Sequence, residues 1–158
     1  MPNRLQRVRE RRGMALVLAT FALVVLGAIV AGTFFAGRLE QQSGENTLYA
    51  TQAQEAAEAG LTDALVTLAP AGMSSLVPAG APLLLPPMSV GTGVSVERQI
   101  SRLSGNLFLL TARATRHDAG GGPLASRAAG LLVHLLPDSA SGVPVVAPLR
   151  DRPWLQLY

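Results

Sequence analysis

The chain has 158 residues, 49% of them hydrophobic and 15% charged, with no Cys. That length suits one small domain or a domain plus an anchor; the apolar share excludes a disordered chain, and the missing Cys excludes disulfides, a thiol nucleophile and a Cys-ligated zinc site. All thirteen basic residues are Arg, and five of them (Arg4, Arg7, Arg9, Arg11, Arg12) precede residue 14 with only Glu10 against them; the rest of the chain holds eight Arg against nine acids, so no basic face for nucleic acid is expected.

Residues 14–37, MALVLATFALVVLGAIVAGTFFAG, contain no charge. As a helix they would extend about 36 Å, enough to cross a hydrocarbon core of ~30 Å. Positive charge stays cytoplasmic, so the N-terminus is expected inside and the residues after Arg38 outside. A cleaved secretory signal is the competing reading. Against it, the apolar run exceeds the ~7–15 residues of a signal core. The small-x-small cleavage pattern is also poor, since Phe34 stands two before Ala36 and Ile29 two before Ala31.

Residues 39–68 lack Pro and are rich in Ala, Glu and Gln, which favour helix. Tyr49, Ala53, Ala56, Ala57, Leu61, Ala64, Leu65 and Leu68 recur at steps of three and four and make one apolar stripe. Gly44 and Gly60 each weaken such a helix by about 1 kcal/mol relative to Ala. Pro70 and Gly72 are expected to end it. The sequence thus predicts one long helix, apolar all round in its first half and one-sided in its second.

Residues 69–93 alternate Pro70, Pro78, Pro82, Pro86 and Pro87 with Gly72, Gly80, Gly91 and Gly93. That density reads as a long loop, wrapping the helix or linking to the next element, with Leu83, Leu84 and Leu85 as its anchor. Strand signals follow. Val94, Val96 and Ile100 alternate with Ser95, Glu97 and Gln99; Leu107 to Thr115 form a second strand after the Ser104-Gly105-Asn106 turn; Ser126 to Leu136 form a third. Three antiparallel strands need a cover, and the helix stripe can provide it. The Pro-rich tail is expected to be a loop or edge strand, with Trp154 and Tyr158 as docking groups.

Sequence motifs for chemistry are missing. His117 in a glycine-rich loop and His134 in a strand lack the partners of a metal site. No phosphate-binding loop and no Gly-x-Ser-x-Gly elbow occur. The expectation is therefore no enzyme, no catalytic residues, no cofactor and no metal. Ala28, Gly32 and Ala36, at steps of four, form a small-residue stripe suited to close helix packing.

The segment RERRGMALVLATFALVVLGAIVAGTFF, followed by a polar helix containing QAQEAAEAGL, resembles the N-terminal region of type IV pilins and type II secretion pseudopilins, nearest to PilX-type minor pilins and tip minor pseudopilins. A basic leader ends in Gly13, an uninterrupted apolar helix starts at Met14, and a Gly/Pro-rich stretch and small sheet follow. The resemblance covers about the first 60 residues. It implies cleavage between Gly13 and Met14 by a prepilin peptidase, methylation of the new terminus, and retention of the apolar helix. Most major pilins carry Glu as the fifth mature residue, paired with a neighbour's terminal ammonium; Leu18 stands there. That departure implies a minor, tip or initiating, subunit.

The expected fold is α+β and pilin-like: residues 1–13 a basic leader, 14–37 a transmembrane helix, 38–69 its amphipathic continuation, and 70–158 a small β-rich extracytoplasmic domain. Implied partners are other pilin or pseudopilin subunits, the prepilin peptidase, the inner-membrane assembly platform and the membrane itself. The implied location is the bacterial inner membrane, single-pass, then a periplasmic or extracellular filament. The alternatives are a single-pass envelope protein with a ligand- or partner-binding outer domain, and a secreted domain with an ordinary signal.

Overall fold

A computed structural model describes residues 4–69, 73–136, 144–149 and 154–157, with side chains from residue 14 onward, Gln156 excepted. Pro70, Gly72 and Tyr158 lie outside the described residues. The chain divides into two compact units, Met1–Glu45 and Asn46–Tyr158.

The first element, α1, is a helix over Arg4–Leu68. It begins ten residues before Met14, where the sequence reading started the long helix, and ends at Leu68 as the approaching Pro70 requires. In its second unit the stripe read from the sequence is the packed face. Ala53, Ala57, Leu61, Ala64 and Leu68 are fully buried, and Tyr49 and Leu65 half-buried. The opposite face is polar and internally bonded: the Gln54 amide donates to Glu58 at 2.8 Å, an i,i+4 pair of the kind that supports a helix.

The remaining elements are a helical turn α2 (Met73–Leu76) and six strands: β1 (Leu83–Ser89), β2 (Val94–Ser104), β3 (Leu107–His117), β4 (Pro123–Leu136), β5 (Val145–Pro148) and β6 (Trp154–Leu157). They form one antiparallel sheet in the order β1-β2-β3-β4-β5, with β6 also paired to β4. The chain is thus α+β, with a long N-terminal helix packed on a small antiparallel sheet.

Two expectations are corrected. Residues 69–93 are not one long loop: they supply α2 and β1. Pro86 and Pro87 are accommodated because β1 is an edge strand and both fall at an irregularity of register between Leu85 and Met88. An edge strand and a bulge are the places where a residue without an N–H is tolerated. Of the expected anchor, Leu83 and Leu85 pack against the core while Leu84 faces solvent. The sheet also has six strands instead of three, because the tail contributes β5 and β6, which take adjacent stretches of the same β4 edge.

The core lies between the helix stripe and one sheet face, where Val96, Ile100, Phe108, Leu110 and Val133 are almost fully buried. Arg98 occupies an inward position of that same face. Its guanidinium forms an ion pair with Asp63 of α1 and donates to the Pro86 carbonyl at 2.6 Å. Arg102 donates to the Ser74 carbonyl and stacks 5.2 Å from the Phe108 ring centre; Arg116 donates to the Thr92 carbonyl. Three arginines therefore clip the helix, the β1 bulge, α2 and the β1–β2 turn to the sheet, a task suited to a long stem ending in a multi-donor plane.

Asp63→Ala should strand a buried charge. Breaking a fully buried pair costs ~3–5 kcal/mol. Asp63 is 49% exposed, so solvent screening lowers the expectation to about 1–3 kcal/mol. Arg98→Met keeps the stem and removes the charge, and should cost less than Asp63→Ala. Urea denaturation of the two variants checks the order; the reverse order would mean that the ion pair itself carries the stability.

Candidate functional site

The first unit offers a surface and not a cleft. From Met14 to Leu39 every large apolar side chain is exposed, and the helix is long and apolar enough to cross a membrane. Its few polar groups are already satisfied. Thr20 Oγ1 donates to the Leu16 and Val17 carbonyls at 3.0 and 2.9 Å, and Thr33 Oγ1 donates to the Val30 carbonyl at 2.9 Å. Such internal pairing is what a segment in hydrocarbon needs, since lipid supplies no hydrogen bonds. The guanidinium of Arg38 lies 5.9 Å from the Phe34 ring centre, so the first charge after the apolar run rests on its last turn.

Gly13 and Met14 are both within α1, and Leu18 is exposed on it. Ala28, Gly32 and Ala36 lie on one exposed helix face. A Cβ added at Gly27, Gly32 or Gly37 would meet nothing within 4 Å. No contact among the described residues therefore requires those glycines.

The second unit carries two polar features on the sheet. His117, expected in the glycine-rich loop, is instead the last residue of β3, half-buried. Its Nδ1 lies 3.2 Å from the Gly121 carbonyl and its Nε2 2.8 Å from Ser95 Oγ. In the neutral ring Nδ1–H donates to the carbonyl, which leaves Nε2 to accept from the Ser95 hydroxyl. The Asp118 carboxylate accepts from the Gly120 and Gly122 amides at 2.8 and 2.7 Å, and Gly121 takes φ +85° at the turn. The hydrogen bonds thus organise the β3–β4 turn. His134 is exposed in β4.

The other feature was not legible in the sequence. On the sheet face turned away from the helix, a hollow of about 520 Å3 is lined by Leu84, Leu85 and Pro87 on β1, Glu97, Arg98 and Gln99 on β2, Thr111, Ala112 and Arg113 on β3, Ala128 on β4 and Leu157 on β6. It forms because β4 contributes only Ala128 and Gly130 here, while Leu155 and Leu157 of β6 rise beside Gly130. The three strands expected from the sequence have no wall on that side, which β6 supplies. Trp154, expected as a docking group, is an exposed residue at the start of β6, paired with Leu131.

No family model, curated protein or solved structure matches the chain.

Proposed function

We propose that the chain is a minor pilin- or pseudopilin-like structural subunit of a type IV pilus or type II secretion filament. One observation carries the reading: an uncharged apolar segment begins directly after Gly13 and continues, as one helix, into the stripe that packs on an antiparallel sheet. An all-apolar helix that leaves a bilayer needs another apolar environment, and a bundle of like helices supplies one. Ala28, Gly32 and Ala36 give that bundle a face for close approach. Leu18, in place of an acid, inserts readily but offers no carboxylate to a neighbour's ammonium, which supports a tip or initiating position. The partners in this reading are sibling subunits, the assembly platform and the prepilin peptidase.

Expression with and without a prepilin peptidase, followed by intact mass, tests it. The expected product with the peptidase lacks residues 1–13 and begins at Met14. An unshortened chain in the presence of active peptidase, or a mature terminus beyond Phe35, would overturn it. A second reading, a single-pass anchored protein with a ligand-binding outer domain, is favoured by the hollow on the sheet and predicts the unshortened chain.

A further inference from the structure

The hollow on the outer sheet face goes beyond the filament reading. Its floor carries Glu97 and Arg113, which oppose each other across β2 and β3. Residues directly opposite in an antiparallel pair hold their Cβ atoms about 4.5–5.5 Å apart, close enough for their charges to meet. They do not: among the described residues the ion pair is Arg98 with Asp63, and both Glu97 and Arg113 are exposed. One carboxylate and one guanidinium therefore present themselves to the hollow unneutralised. Gln99 and Thr111, the next opposed pair, add an amide and a hydroxyl. Leu84 and Pro87 wall one side and Leu157 the other.

The lining chemistry narrows the occupant. Among the described residues no aromatic ring lines the hollow, so they offer neither a base nor a sugar a stacking platform. Of the two guanidiniums in the lining, that of Arg98 is paired with Asp63 and that of Arg113 stands opposite Glu97, which disfavours phosphate or a simple carboxylate. A ligand with both signs and apolar ends satisfies every group. In an extended peptide, side chains two residues apart share a face at about 6.6–6.8 Å, a spacing that long side chains on Glu97 and Arg113 can meet.

We propose that this hollow binds an extended peptide bearing one basic and one acidic side chain two residues apart, flanked by apolar residues. The base faces Glu97, the acid faces Arg113, Gln99 and Thr111 bond its main chain, and its apolar ends rest on Leu84, Pro87 and Leu157.

The test uses the full chain in detergent micelles and three end-capped, fluorescein-labelled peptides read by anisotropy: Leu-Lys-Ala-Glu-Leu, Leu-Lys-Ala-Lys-Leu and Leu-Glu-Ala-Glu-Leu. The mixed peptide should bind about fivefold tighter than either other, the discrimination expected of an exposed charge pair worth up to ~1 kcal/mol. Glu97→Arg should move the preference to the two-acid peptide, and Arg113→Glu to the two-base peptide. Both side chains are exposed, so both variants should retain the parent circular dichroism. Equal binding of all three peptides, no saturable binding, or a preference unchanged by either reversal would overturn the proposal. Cleavage after Gly13 is unaffected by any of these outcomes, so the two readings fail separately.

Discussion

Leu23→Arg combined with Val24→Arg is expected to release the chain from the membrane, whereas either change alone should not. The difference follows from magnitudes. Residues 14–37 hold twelve Leu, Ile, Val and Phe side chains. At roughly −0.3 to −0.6 kcal/mol each, they favour insertion by about 4–7 kcal/mol. One Arg near the middle costs about 2.5–3.5 kcal/mol, which that sum covers; two cost about 5–7 kcal/mol and cancel it. Resistance to alkaline carbonate extraction reads the outcome. The single variants should stay with the membrane pellet and the double variant should move to the supernatant. A double variant that stays fully in the pellet would mean that residues 14–37 do not act as a membrane anchor.

The same arithmetic explains why this part of the fold is legible in sequence. An uncharged run needs no tertiary partner to declare itself, and its continuation declares itself by period. Every buried apolar side chain of α1 lies in the stripe that steps of three and four pick out; buried Gly60 lies outside that set. Strands β2, β3 and β4 were also legible, because half-buried strands alternate. What was lost depended on neighbours distant in sequence. Pro86 and Pro87 argue against a strand until it is known that the strand lies at an edge. Arg98 breaks an inward-facing row of Val94, Val96 and Ile100, and only Asp63 on the helix and the Pro86 carbonyl make it acceptable there. The hollow needs β1, β4 and β6 together, and two of those strands are short or proline-bearing. Its charged pair, Glu97 and Arg113, looks in sequence like ordinary solvent-facing polarity.

Gly44 and Gly60 show the limit most plainly, because composition and helix propensity treat them alike. A Cβ at Gly44 would meet nothing within 4 Å. At Gly60 it would lie 2.6 Å from Val96 Cγ1 and 3.1 Å from the Ala112 Cβ. Val96 is fully buried and β-branched, so it has little freedom to turn aside. Ala112 and the helix residues Ala56, Ala57 and Ala64 are small as well, which lets the helix lie close on the sheet. Gly44→Ala should therefore be stabilising, by up to about 1 kcal/mol from propensity. Gly60→Ala gains the same propensity but overpacks the interface by ~1–3 kcal/mol, so its net effect is a loss of up to about 2 kcal/mol. Gly60→Leu adds a full side chain where a single carbon already collides, and should cost more than ~3 kcal/mol, enough to unfold a marginal domain. Denaturation followed by the fluorescence of Trp154, the one Trp in the chain, reads each value. A cycle with Val96→Ala isolates the cause. Shortening Val96 removes the Cγ1 that the new carbon strikes, so Gly60→Ala should cost less in that background than in the parent. Independent, additive effects of the two changes would mean that the close approach at Gly60 is not what limits the packing of helix on sheet.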